Sequence, residues 1–266
     1  MASANFETYV EAASRLHSWT PRLKLLSLSL LMFAFAAVKH LPLVLPMLCV
    51  TAVLYSLSGL PLNYLVKRLR YPGLFIFMVV LLLPFTSGST VVAQWGPLAL
   101  RQEGLVTTVL VVCRFVSILT LGFVLLGSTP FLTLLRAMRS LGLPTLIADM
   151  TLLTYRYLFE TADMLATMQR SMRLRGFGRR RRWFRLEGRA LSQLSGLLGT
   201  LLIRSYERSE RVYKAMQLRG YGQLKQPQLV AQQPIDRQSL LLTVLTVGAA
   251  LGFVIAEITF LINPSL

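Results

Sequence analysis

Four apolar stretches dominate this chain: Leu25 to Leu60, Pro72 to Phe85, Leu105 to Leu126 and Leu240 to Ile262. A bilayer core is about 30 Å thick and takes about 20 helical residues to cross. Runs of this kind make lipid the expected solvent, since 54% of the 266 residues are hydrophobic, far more than one small soluble core can use. Lys39, His40 and Pro42 interrupt the first stretch, which therefore reads as a tight helical hairpin with one arm from Leu25 to Val38 and the other ending at Leu60. Both arms are short for a bilayer, so Lys24 and Lys39 are expected to snorkel or the membrane to thin. Five spans follow, in an all-α polytopic membrane protein.

Charge then sets the orientation. The chain carries 28 basic and 11 acidic residues, a net charge of +17 that in a soluble protein would suggest nucleic acid as a partner. Most of the arginines lie between Arg136 and Arg237, between two spans, where cytoplasmic loops concentrate basic residues. Membrane lipid or an acidic protein partner accounts for them, and nucleic acid is not expected. With five spans, Arg15, Arg22 and Lys24 share a side with Lys67, Arg68 and Arg70, which puts the N-terminus in the cytoplasm and the C-terminus outside. Glu7 and Glu11 precede any basic residue, so no secretory signal is expected. Cys49 and Cys113 sit far apart inside apolar runs and read as packing residues.

Residues 127–238 read as a cytoplasmic domain between a four-span membrane domain, 1–126, and a last transmembrane helix, 239–266. Ser128-Thr129-Pro130 predicts a helix start with a hydroxyl cap, and Gly142-Leu143-Pro144 predicts its stop. Leu132, Leu135, Met138 and Leu141 give this short helix an apolar stripe suited to the membrane surface. A long amphipathic helix is expected from Thr145 to Arg175 and another from Leu186 to Gly220. Glu207 with Arg211, and Glu210 with Lys214, stand four apart in the stabilising order on the second. The intervening Arg179 to Arg182 reads as a solvated, topology-fixing loop, and Gln223 to Arg237 as a linker.

Both long helices end in nearly the same words. Met172-Arg173-Leu174-Arg175-Gly176-Phe177-Gly178 matches Met216-Gln217-Leu218-Arg219-Gly220-Tyr221-Gly222 at six of seven positions when Phe and Tyr are equated. Helix capping constrains the glycine and favours a basic residue before it, but it does not constrain Met, Leu or the aromatic. A duplicated docking surface explains more: each arginine offers a rigid donor fork to a carboxylate, each aromatic can enter an apolar pocket, and two tips suit a partner made of two related subunits.

On this repeat the chain resembles the transmembrane T components of energy-coupling factor transporters, and within them the CbiQ branch of cobalt and nickel importers. Thr20-Pro21-Arg22-Leu23-Lys24, Ser128-Thr129-Pro130, Tyr155-Arg156-Tyr157 and Arg204-Ser205-Tyr206-Glu207-Arg208 extend the resemblance over most of the chain. Leu174 and Leu218 stand where the family often has alanine, and Trp19 where aspartate is common. The resemblance implies long coupling helices whose tips, Leu174-Arg175-Gly176-Phe177 and Leu218-Arg219-Gly220-Tyr221, dock two CbiO-like ATPase subunits. It further implies a CbiM-like substrate-binding membrane subunit, with or without a small CbiN-like one, in the bacterial inner membrane. Mg-ATP would belong to the partner subunits, with no cofactor on this chain. Cobalt or nickel is the implied substrate, with a vitamin as the alternative.

Arg114 stands near the middle of the fourth span, where a charge costs at least about 2.5 kcal/mol, so it should face protein or water. Glu257 falls near the outer end of its helix and reads as interfacial. His17 and His40 lack companions at ligand spacing, and no metal site is expected. No phosphate-binding loop is present, so a non-catalytic subunit is expected. An autonomous secondary transporter would need inverted repeats and midplane polar residues, and a lipid-modifying enzyme a nucleophile with its base; the sequence carries neither set.

Overall fold

The computed structural model describes residues 19–86, 91–95, 98–176, 188–222 and 236–262. His17, Phe177, Arg179 to Arg182, Leu186 and most of the Gln223 to Arg237 stretch lie outside the described residues. The chain divides into two units, residues 1–142 with 232–266, and residues 143–231.

The first unit opens with α1 (Pro21–Ala37), whose first position is proline, where the missing N–H costs nothing. A 3-10 turn (Leu41–Leu43) leads into α2 (Val44–Ser58), which Gly59 closes in a left-handed conformation with φ 65°. Next come α3 (Leu62–Thr86), α4 (Gln102–Gly127), α5 (Phe131–Ser140) and, after the second unit, α8 (Arg237–Ile262). Among the described residues, three segments are long and apolar enough to cross a membrane: Leu41–Ser58, Gly104–Gly127 and Arg237–Phe260. With its 17 residues α1 is shorter, at about 26 Å, and α3 carries Lys67, Arg68 and Arg70 in its first turns, on a helix rather than in a loop.

Connection in sequence does not decide packing here. The expected hairpin has its turn, yet α1 packs chiefly on α8 and α4, and α2 on α4, so the arms do not lie along one another. Leu28, Leu31, Phe35, Met47, Leu121 and Phe253 form the core, with Phe35 meeting Phe253 edge-on at 5.1 Å. Outside it, α3 turns Tyr71, Leu74, Phe75 and Met78 outward, an apolar surface that suits lipid.

Several expectations are corrected. A two-stranded antiparallel hairpin, β1 (Val91–Trp95) with β2 (Leu98–Arg101), interrupts the helical pattern between α3 and α4. Ser128 does not cap α5: its hydroxyl bonds back to the Val124 carbonyl and closes α4, leaving Pro130 at the α5 N-cap without a side-chain bond. On α5 Leu135 is buried, while Leu132, Met138 and Leu141 are exposed. This helix packs on α1 and falls within the first unit, whose boundary is Gly142 rather than residue 127. Lys24 does not snorkel; it is 1% exposed and its Nζ donates to the Ser128 carbonyl at the end of α4. Nearby, the buried Trp19 donates its indole N–H to Thr243 Oγ1 of α8 at 2.9 Å. Cys113 packs against the core, whereas Cys49 is exposed on α2 because its side of the helix has no neighbour in this chain.

The second unit consists of two long helices, α6 (Thr145–Leu174) and α7 (Gly188–Leu218). Pro144 starts α6, and proline also keeps the preceding Leu143 out of helical geometry. The pair is antiparallel: Arg208 of α7 meets Glu160 of α6, and Tyr221 after α7 meets Asp149 in the first turns of α6. Leu201, Ser205, Val212 and Met216 are half-buried, as their spacing predicts, but Leu191, Leu194 and Leu198 remain exposed. Glu210 pairs with Lys214 at 3.2 Å, while Arg211 reaches the Glu207 backbone carbonyl instead of its carboxylate.

Candidate functional site

The two repeated motifs close their helices in the same way. At the second copy Gly220 has φ 77°, its N–H donates to the Gln217 carbonyl at 2.9 Å, and the Tyr221 N–H donates to the Met216 carbonyl at 3.0 Å. These are the paired bonds of a Schellman cap, which needs a residue in left-handed geometry and so selects glycine. At the first copy Gly176 has φ 89° and donates to the Arg173 carbonyl at 3.1 Å. The remaining cap bond there would involve Phe177, beyond the described residues.

Capping accounts for the glycines and leaves the rest of the motif free. In both copies the methionine is half-buried and the Leu-Arg pair is exposed. Leu174 and Leu218 are each 90% exposed. Burying a leucine stabilises by about 1.5–3 kcal/mol, a contribution that neither leucine makes within this chain. Arg175 and Arg219 stand beside them, exposed, at the negative end of their helix dipoles. Because α6 and α7 are antiparallel and Tyr221 touches Asp149, the two tips lie at opposite ends of the pair, about 40 Å apart at 1.5 Å per residue.

The aromatic positions of the repeat diverge. Tyr221 donates its hydroxyl to Asp149 Oδ2 at 3.1 Å and is half-exposed, so part of its side chain is tied to α6. Phe177 carries no hydroxyl, and no such bond is open to it.

The first unit holds Arg114, a charge within an apolar helix. Arg114 of α4 donates to the Val38 carbonyl, at the end of α1, and its Nε has no hydrogen-bond partner among the described residues. Glu257 of α8 lies within electrostatic reach of that guanidinium. Protein closes around it: the residue is 5% exposed, and neither carboxylate oxygen accepts a hydrogen bond among the described residues. His40 approaches it, Nε2 to Oε1, at 3.7 Å. Sequence reasoning passed over Glu257 because depth along a helix was judged without knowing which neighbours close around it. Its lone acidic character in an apolar run was the available signal. Among the described residues no three His, Cys, Asp or Glu side chains are grouped to hold a metal ion.

These features define a helical membrane protein that carries a pair of long amphipathic helices with matching exposed basic tips. The chain belongs to the CbiQ family, described as cobalt transport protein, whose pattern matches residues 12–229. Among its relatives is the energy-coupling factor transporter transmembrane protein EcfT of Lacticaseibacillus paracasei, 28% identical over 227 residues, covering 80% of this chain and 83% of the relative. The cobalt transport protein CbiQ of Rhodobacter capsulatus is 26% identical over 208 residues, covering 75% and 80%. An uncharacterised protein of Methanocaldococcus jannaschii is 26% identical over 231 residues, covering 83% and 76%.

Proposed function

We propose that this chain is the T component of an ATP-driven importer of the energy-coupling factor type, the membrane subunit through which ATPase motion reaches a separate substrate-binding membrane protein. The observation that carries the reading is the matched exposure of Leu174-Arg175 and Leu218-Arg219 beyond two glycine-capped helices about 40 Å apart. Two separated, equivalent tips suit two related ATPase subunits, each supplying a carboxylate for the arginine and an apolar groove for the leucine. The EcfT and CbiQ names of the relatives support the same role. In this reading Mg-ATP binds the partners, this chain performs no chemistry, and a CbiM-like protein, with or without a CbiN-like one, holds the substrate.

Five helices cross the bacterial inner membrane, α1, α2, α3, α4 and α8, with the N-terminus and α6 and α7 on the cytoplasmic side. The apolar outward face of α3 and the placement of basic residues support this topology. Cobalt, with nickel next, is the proposed substrate, on the strength of the family description and the CbiQ relative. The EcfT names keep a vitamin substrate as the second reading.

Affinity capture of the ATPases by Arg175→Ala, Arg219→Ala and the double variant tests the docking role. Removing one partner of a buried charge pair costs about 2–5 kcal/mol, so each single variant should weaken capture and the double variant should nearly abolish it. Capture of both ATPases by a folded, membrane-inserted double variant would refute the proposal. Uptake of radioactive cobalt, nickel and vitamins by cells expressing the whole complex separates the substrates.

A further inference from the structure

Among the described residues of the second unit, only Ala148 and Leu197 are buried apolar side chains, so hydrophobic burial does little to fix how α6 and α7 cross. Two polar contacts mark the crossing, Tyr221 with Asp149 near the start of α6 and a cluster around Arg208 at mid-helix. Arg208 of α7 hydrogen-bonds and ion-pairs with Glu160 of α6, and its guanidinium carbon lies 5.5 Å from the centre of the Tyr157 ring, one turn earlier on α6. One arginine thus makes a charge-assisted bond and a cation–π contact to the same helix. An exposed pair of this kind contributes about 1 kcal/mol or less to stability, so its part is to select one crossing among others of similar energy.

We propose that Arg208 is a positioning residue that sets the crossing of α6 and α7, and so the separation of the two tips. The inference rests on the docking role above and adds to it a residue that touches no ATPase. Lever length supplies the reason: Arg175 lies about 22 Å along α6 from Glu160, so a change of about 10° at the crossing moves that tip by about 4 Å. Two subunits held on tips that drift by this much remain bound, yet their movement is no longer delivered to a fixed axis.

The test combines distance, binding and uptake in the full-length chain. Spin labels at Arg170→Cys and Ala215→Cys, in a Cys49→Ala, Cys113→Ala background in lipid nanodiscs, report the spread of distances along the helix pair without any ATPase present. Arg208→Ala should broaden that distribution, leave ATPase capture within about twofold of the parent, and lower uptake about tenfold. Arg208→Glu should do the same or worse. Combining Arg208→Glu with Glu160→Arg should narrow the distribution again and restore uptake to within about threefold, because an arginine at 160 still sits three residues from Tyr157. An unchanged distribution in Arg208→Ala, or an exchanged pair no better than Arg208→Glu alone, overturns the proposal. If Arg208→Ala fails to fold, the exchanged pair decides by the same criterion. The distance measurement is independent of docking: retention of the ATPases by the Arg175→Ala, Arg219→Ala double variant would sink the docking role and leave the clamp to be judged on distances alone.

Discussion

The phenol of Tyr221 donates to the Asp149 carboxylate at 3.1 Å, joining the end of α7 to the first turns of α6 across 72 positions of sequence. The second tip is therefore held from the side as well as capped from below. A position that the repeat presents as one member of a matched pair has been given a separate structural task.

Tyr221→Phe should make the second tip resemble the first. Loss of a hydrogen bond to a charged group costs about 1.5–3 kcal/mol locally. Amide hydrogen exchange around Met216 to Gly222 should accelerate by about tenfold or more, while ATPase capture persists because Arg219 and Leu218 are intact. Unchanged exchange would show that the bond contributes nothing to holding the tip.

Glycine and arginine at the tips should separate cleanly by effect. A Cβ added at Gly176 or Gly220 meets no atom within 4 Å, so the cost of Gly→Ala is conformational, about 1–2 kcal/mol for left-handed geometry. Each alanine variant should fray its helix end, seen as a small loss of helical signal, with partial retention of ATPase capture. Arg219→Ala should leave the helix end ordered and weaken capture more than Gly220→Ala does; the reverse ranking would make the motif a cap and nothing more.

Arg114→Leu should damage the membrane unit more than removal of both charges. Taking the guanidinium away leaves the Val38 carbonyl without its donor and the Glu257 carboxylate with only His40 beside it, a cost of about 1–3 kcal/mol. Adding Glu257→Gln should recover much of the loss. The yield of monodisperse protein in mild detergent, measured for both singles and the double, checks this, and equal yields for Arg114→Leu and the double variant would count against the coupling.

Topology is testable with single cysteines in a background lacking Cys49 and Cys113. A cysteine at Lys39 should react with an impermeant external reagent in intact cells, and cysteines at Lys67 and Arg180 should react only after permeabilisation. Labelling at Arg180 from outside would reverse the assignment.

The number and order of the long helices were legible because apolar runs, prolines and glycines act locally: Pro21 starts α1, Gly142 and Pro144 separate α5 from α6, and Gly176 and Gly220 end α6 and α7. The repeat was legible for the same reason, since it is written within seven consecutive residues. The β1–β2 hairpin was not, because its residues lie between two apolar runs and carry no strong alternating pattern of their own. Lys24 was read from its nearness to a helix end, and its burial depends on the carbonyl of Ser128, 104 positions away.

Sequence alone determined that the chain lives in lipid, that particular prolines and glycines punctuate its helices, and that two helix tips carry one motif, all consequences of short-range chemistry repeated along the backbone. Tertiary structure decided which of those features are used within the chain: that α1 packs on α8 instead of α2, that Glu257 is enclosed beside Arg114, and that Tyr221 bonds Asp149 while Leu174 and Leu218 stay open. In lipid, apolar faces are interchangeable as neighbours, because tails solvate them as well as a helix does. Partner choice within the membrane then falls to close packing and a few polar side chains, and their pairing across the sequence is not written in any local pattern.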